Sequence, residues 1–348
     1  MLSIGNPPLG YDLALSTSRL IGIVEYNPAD LTVIARAGTT MAELERELRE
    51  NGQFLPLDPP LPDRATIGGV LASNASGRWR TAYGSARDMV IGMRVALPSG
   101  QVAKSGGRVV KNVAGYDLAK LFIGSFGSLG VIVEAALKIY PLPAATHTLV
   151  VPAGELPAAF QTARFLAEIG PGVLTVAVVN EALGLSLGLP GVATVVTVGG
   201  TARAAQELVE RIRAGAQGNV RTVREEEEAA LTGALRDFPA SADLKVSTVP
   251  TASGEAFALQ QIREGLSYPA VGLSYLRVGD LTDEAVSAYR ARLAKVRGAA
   301  ILLRGDVDLK RTADAWGSAG PQIELMRKVK DVFDPERVVS PGRFVGGL

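Results

Sequence analysis

Thr-Ile-Gly-Gly-Val-Leu-Ala-Ser-Asn-Ala-Ser-Gly, residues 66–77, is the stretch around which the chain is organised. Pro-Leu-Asp-Pro-Pro (56–60) precedes it. Tyr83-Gly84, Lys-Asn-Val-Ala-Gly-Tyr-Asp-Leu (111–118) and Gly-Ser-Phe-Gly-Ser-Leu-Gly-Val-Ile-Val-Glu (124–134) follow it. Glycine recurs here beside Ser, Thr and Asn, between short apolar runs. Lacking a side chain, glycine lets bare backbone come close to a neighbour. Successive N–H groups in such backbone form concavities that hold anions, phosphate above all. Each piece alone also suits an ordinary turn in a glycine-rich sheet protein, and only their succession in this order points to a ligand.

Outward from this stretch the chain reads as alternating short elements. Residues 11–16, Tyr-Asp-Leu-Ala-Leu-Ser, alternate apolar and polar as a half-buried strand does. Residues 21–25 and 31–37 read as further strands. Thr40 and Glu43 have capping-box spacing, and Leu44 and Leu48 lie one helical turn apart, so a helix is expected from 40 to Asn51-Gly52. Residues 65–76 read as a short helix whose Ala65, Gly68, Gly69, Ala72 and Ala75 admit a close neighbour. Residues 89–97 and 101–104 form a hairpin about Pro98-Ser-Gly100. Residues 118–123 suit a helix and 131–140 a long strand, ended by Pro141-Leu-Pro143.

A domain boundary is expected at those prolines. Beyond them, strands are expected at 148–152, 173–179, 192–198, 244–249, 271–278 and 300–304. Helices are expected at 156–168, 202–214, 225–236, 254–265 and 282–296. This alternation implies an α+β layer, one mainly antiparallel sheet with helices on a face. Glu225 to Glu228 suits a solvated helix start, where negative charge complements the dipole. A last helix is expected over 321–332, followed by an ordered loop at 337–343.

Composition narrows the chemistry. The 348 residues suffice for two ordinary domains, and a net charge of +1 sets up no strong field for nucleic acid or an anionic membrane. With no cysteine, the chain holds no disulfide, no cysteine-ligated iron–sulfur cluster and no thiol nucleophile. Its single histidine, His147, excludes a multi-histidine zinc site and reads as a surface or linker residue. No apolar run is long enough to span a membrane, and the start lacks a signal-peptide pattern. A cytoplasmic protein is expected, peripheral to a membrane only through partners. Arg78, Arg80, Lys104, Arg108 and Lys111 cluster near the glycine segments. They suit a phosphate or a substrate carboxylate, or else are solvated charges.

Residues 11–143 resemble the flavin-binding domain of the vanillyl-alcohol oxidase or p-cresol methylhydroxylase type. Within it they are most similar to the FAD-binding E subunits of bacterial glycolate oxidases. The likeness rests on residues 111–121, on 124–132, and on the Asp-Pro-Glu-Arg and Ser-Pro-Gly-Arg ending (334–343). It implies an α+β protein of two domains. Residues 1–143 would form the FAD-binding domain, 144–319 an α+β cap domain with a mainly antiparallel sheet, and 320–348 a segment returning to the first. It further implies FAD as cofactor, contacted by Pro56, Thr66, Ile67, Gly68, Gly69, Ser73, Asn74, Gly77, Tyr83, Gly84, Gly127, Leu129, Gly130 and Ile132. A helix starting at Thr66 would offer free N–H donors to an anion, or else mark a helix packed tightly on a sheet. Asn74 and Ser76 would add side-chain hydrogen bonds.

The same likeness implies an oxidoreductase acting on glycolate or a related 2-hydroxy acid, with a larger flavin subunit and an iron–sulfur subunit as partners. The alternatives are a self-sufficient FAD-dependent 2-hydroxy-acid dehydrogenase and a flavin-free structural subunit. No catalytic residue is assigned and no metal is expected. The family's glycine-rich loop ahead of the Asn-Pro-Pro stretch has no counterpart here, so weak FAD retention is expected. The lack of a histidine cluster leads us to expect no useful glycolate turnover by the isolated chain.

Overall fold

The computed structural model of the chain describes residues 4–108, 116–216 and 219–348. It divides into two compact units: 4–77, 84–142 and 318–348 form the first, and 78–83 with 143–317 the second. The short piece Arg78–Tyr83 thus packs with the second unit although it lies inside the glycine-rich region.

In the first unit, β1 (Ile23–Asn27), β2 (Thr32–Arg36), β4 (Val90–Ala96), β5 (Val102–Gly106) and β6 (Val131–Lys138) build an antiparallel sheet of order β1-β2-β6-β4-β5. Strands β3 (Gln53–Phe54) and β7 (Tyr140–Pro141) pair separately. Helix α1 (Met41–Arg49) begins as its spacing implies: Thr40 and Glu43 form the reciprocal capping box, and Met41, Leu44 and Leu48 are buried. Helix α2 (Ile67–Ser73) buries Ile67, Val70 and Leu71. Short turns α4 (Ala86–Met89) and α5 (Ala119–Phe122) and the longer α12 (Ile323–Phe333) complete the unit.

Residues 11–16 do not form the expected strand. Alternation specifies a face only where a neighbouring strand supplies hydrogen bonds, and the sheet ends at β1 and β5 without them. This stretch follows a segment tied by Asn6 and Leu9 N–H to the carbonyls of Arg343 and Pro341. Tyr11, Leu13 and Leu15 stay exposed.

The second unit is one antiparallel sheet of order β11-β8-β10-β9-β13-β14-β12-β15. Its strands are β8 (Ala145–Pro152), β9 (Val173–Val179), β10 (Ala193–Gly200), β11 (Arg221–Val223), β12 (Leu244–Ser247), β13 (Ile262–Tyr268), β14 (Leu273–Val278) and β15 (Ala299–Leu302). Helices α6 (Leu156–Glu168) and α8 (Ala202–Gly215) pack on Leu149, Val151, Val176, Val178, Val196 and Val198. Helix α10 (Asp283–Ala294) covers Leu244, Val246, Leu276 and Leu302. These side chains share one face by strand alternation. Helix α9 (Glu225–Asp237) carries all four glutamates of the acidic run in its first turn. Helices α3 (Arg80–Tyr83), α7 (Glu181–Ser186) and α11 (Val307–Thr312) are short.

The helix expected at 254–265 is replaced by a 3-10 segment, Pro250–Phe257, and then by β13. Sheet pairing overrides local propensity here, because β13 is hydrogen-bonded between β14 and β9. Gly265 permits it: a Cβ there would overlap the Phe257 ring that lies over the strand. Strand β11 and helices α7 and α11 are too short for their periodicity to stand out. His147 is neither surface nor linker. It lies half-buried within β8, in register with Val198, because β8 pairs with β10 along its whole length.

Candidate functional site

The glycine segments converge in the first unit. Gly124 N–H donates to the Leu71 carbonyl at 3.0 Å and Phe126 N–H to that of Ala72 at 2.8 Å, which ties the loop 124–130 to α2. Gly77 brings the turn after α2 against the proline stretch, since a Cβ there would overlap the Asp58 carbonyl. The end of α2, with Ser73, Asn74 and Gly77, therefore adjoins both the loop that carries Gly127 and the stretch that begins at Pro56.

The start of α2 is not the anion cradle its glycines suggest. Ile67 N–H donates to Thr39 O at 2.9 Å and Gly68 N–H to Ala37 O at 2.8 Å. Gly69 N–H donates to Thr66 Oγ1 at 3.2 Å. These donors are engaged by the chain itself, so the N–H groups of Ile67, Gly68 and Gly69 are not free for an anion. Gly68 serves packing instead: a Cβ there would sit 2.8 Å from that of Ala37. This is the tight helix packing left open as the other possibility.

The end of α2 is different. Asn74 closes the helix in the left-handed region at φ 47°. Its Oδ1 is buried and has no hydrogen-bond partner among the described residues, and neither has the Ser76 Oγ beside it. Native proteins satisfy nearly all buried polar atoms, so two orphans within three residues call for an absent group. Gly127, at φ +74°, faces open space where a Cβ would stand. Ser73 instead returns its hydroxyl to the Gly69 carbonyl at 2.7 Å.

The other residues expected at the cofactor have local structural tasks. Leu129 and Ile132 are buried in the core. Gly130 lets the chain pass the Ala96 carbonyl, which a Cβ would approach to 2.9 Å. Gly84, at φ +88°, leaves room for the Asp88 carboxylate, which accepts from the Ser85 N–H at 2.7 Å and from its hydroxyl at 2.9 Å. Tyr83 belongs to the second unit, where its ring meets Trp79 edge-on at 6.1 Å. Of the segment 111–118, residues 111–115 lie outside the described residues, Lys111 among them.

The basic cluster does not act as one group. Arg108 pairs with Glu25 at 2.8 Å in an exposed ion pair. With Lys104, Arg94 and Glu134 it lines a cleft of about 270 Å³ in the first unit. Arg78 stacks over the Trp79 ring at 4.8 Å. Arg80 faces the sheet of the second unit. There Lys245 on β12 and Tyr275 on β14 are register partners. Both alternate away from the apolar face that holds Leu244, Val246 and Leu276. Burial, with Arg80's charge, holds the Lys245 ammonium down to about 8. Burial pushes the Tyr275 phenol up to about 12 against the pull of Arg80. The signal for this group was available in Leu-Lys-Val-Ser (244–247), a strand with lysine between two apolar residues. Among the described residues no three His, Asp or Glu come together to hold a metal.

Residues 5–106 match the family described as FAD binding domain. Those residues are therefore similar to an FAD-binding domain. It is 42% identical over 147 residues to glycolate oxidase subunit GlcE of Escherichia coli (strain K12), covering 42% of this chain and 41% of that one. It is 29% identical to glycolate oxidase subunit GlcD of Bacillus subtilis (strain 168), covering 97% of this chain and 80% of that one. A solved structure of alkyldihydroxyacetonephosphate synthase superposes with a TM-score of 0.65 at 18% identity, over 93% of this chain and 66% of that chain. At that identity it shares the fold. FAD fits the residues present. Ser76 Oγ is suited to donate to a phosphate oxygen, Asn74 Oδ1 to accept from a hydroxyl or ring N–H, and Gly127 to lie flat against a planar group.

Proposed function

We propose that the chain is the FAD-binding subunit of a glycolate oxidase-type complex. The complex would oxidise glycolate or a related 2-hydroxy acid to the 2-oxo acid, with a larger flavin subunit and an iron–sulfur subunit as partners in the cytoplasm. The observation that carries this is the pair of buried, unpartnered oxygens at Asn74 and Ser76 in a matched FAD-binding domain. Similarity to GlcE and GlcD supports the substrate class. FAD, held at Asn74, Ser76 and Gly127, would supply the hydride acceptor for oxidation of the alcohol carbon. With no cysteine here, onward electron transfer through a cysteine-ligated cluster falls to another chain. Among the described residues no helix is long and apolar enough to cross a membrane. Titrating the purified chain with FAD tests the proposal: flavin fluorescence is expected to quench and saturate at one flavin per chain. A linear response with no saturation would remove flavin from the function.

Arg80 and Lys245 supply the positive charge that the substrate carboxylate needs, and Tyr275 a phenol that stays protonated at neutral pH. Deprotonation of Lys245 near pH 8 would remove half of that charge. Binding of oxalate, as a carboxylate probe, is expected to weaken as pH rises through about 8. Lys245→Met is expected to flatten the profile. Calorimetric titration checks this, and equal affinity on both sides of that pH would exclude Lys245 from the site.

A further inference from the structure

Lys330 lies on α12, far in sequence from every glycine segment, yet its side chain ends at one of them. The side chain is 2% exposed and that of its ion-pair partner Asp334 is 0% exposed, with Nζ to Oδ2 at 2.6 Å. The ammonium also donates to the Ser128 carbonyl at 2.6 Å and to the Val339 carbonyl at 2.9 Å. All three ammonium donors are thus satisfied. Asp334 in turn accepts from the N–H groups of Val338 at 3.1 Å and Val339 at 2.9 Å. Ser128 sits between Gly127 and Gly130, in the loop that faces open space. The C-terminal segment also touches this loop at Phe126 and the helix α5 before it at Phe122. Phe333 meets Phe122 edge-on at 5.2 Å, and Phe344 stacks on Phe126 at 6.0 Å.

A buried ion pair rarely stabilises a fold more than an apolar pair of equal volume would. What this pair does that an apolar pair cannot is fix one carbonyl of the 127–130 loop by a hydrogen bond. We propose that Lys330 is a positioning residue for FAD: by holding the Ser128 carbonyl it aims Gly127 and its neighbours at the cofactor. This deepens the assignment of FAD to the loop and rests on it. By reciprocity, FAD at the loop must steady the C-terminal segment by the same factor that the segment favours FAD.

The test is a charge-free double variant, Lys330→Met with Asp334→Asn. It keeps an acceptor for one of the Val338 and Val339 N–H groups, which Asp334 serves with separate oxygens, and leaves no unpaired buried charge. Its FAD dissociation constant, followed by flavin fluorescence, is expected to rise at least about tenfold, or roughly 1.4 kcal/mol. Its Tm without FAD is expected to stay within about 5 °C of the parent. Unchanged FAD affinity in a variant that has lost only Tm would make the pair structural and overturn the proposal. Gly127→Ala separates the two layers: its methyl meets no protein atom, and the backbone strain it adds at φ +74° is read separately from its Tm without FAD. If that variant binds FAD as the parent does, the loop is not the flavin site and the proposal falls with it. If Gly127→Ala weakens FAD and the double variant does not, the positioning role alone is wrong. Should the double variant fail to fold, hydrogen exchange on the parent decides. FAD is expected to slow exchange of the Val338 and Val339 amides at least about threefold, matching part of the tenfold coupling. Unaltered exchange there would overturn the coupling.

Discussion

Lys330→Met alone is expected to destabilise the first unit by about 3–5 kcal/mol, because it leaves the Asp334 carboxylate buried and without its counter-ion. The pair is inside the protein at 2% and 0% side-chain exposure, so water cannot replace the ammonium. The Ser128 and Val339 carbonyls lose a donor in the same step. Burial pushes the Asp334 carboxyl up, but the Lys330 ammonium and the Val339 and Val338 N–H groups outweigh it, leaving the net direction below the ordinary value. A carboxyl depressed on folding stabilises above its unfolded pKa of about 3.9 and loses that contribution as pH falls further. The parent should therefore weaken progressively below about pH 4, and the variant should show less of that dependence. Urea unfolding followed by fluorescence reads both. A midpoint unmoved at neutral pH would show that the carboxylate is not held buried and charged.

How far the fold could be read from the chain depended on whether the deciding contact was local. The capping box of α1 is three residues long, and Thr40 and Glu43 bond as their spacing implies. The hairpin about Pro98-Ser-Gly100 and the helices α6 and α8 likewise follow from periodicity and turn chemistry. Residues 254–265 misled because their helical composition competes with a sheet whose partners, β9 and β14, are set by remote chain. Residues 11–16 show the reverse, a strand pattern that joins neither edge strand, β1 or β5.

The site divides in the same way. Gly68 and Gly77 stand out as places of close approach, but only the folded chain shows that protein backbone or side chains, rather than a ligand, make the approach. The first N–H groups of α2 could not be judged from their own segment, because Thr39 and Ala37 take two of them. Ser76 reads as one more small polar residue until its burial is known. Lys245 needed the register of β12 against β14 to place it beside Tyr275. The link from Lys330 to Ser128 spans 202 residues and leaves no local trace.

Asn74→Gly combined with Ser76→Ala is expected to weaken FAD binding while leaving the free protein as stable as the parent or more so. The two effects have one origin. In the free protein, Asn74 Oδ1 and Ser76 Oγ are buried without a partner. A buried polar atom without a partner costs about 1–3 kcal/mol of desolvation, so deleting it removes a penalty. Glycine suits the backbone at Asn74, whose φ of 47° strains most other residues. Alanine at Ser76 removes only the hydroxyl oxygen from a buried position. With FAD bound, the same atoms would each make a hydrogen bond to a polar or charged group of the cofactor. Two such bonds contribute on the order of 3–6 kcal/mol, or roughly two to four powers of ten in affinity. Fluorescence titration with FAD and thermal melts of the free protein measure the two effects separately. A loss of stability together with a loss of FAD would mean that the variant is merely damaged. Undiminished FAD affinity with raised stability would show that these oxygens await water or another ligand. Only a stable apoprotein with weakened FAD identifies them as cofactor contacts, since no repacking of the free fold gains stability and selectively loses the flavin.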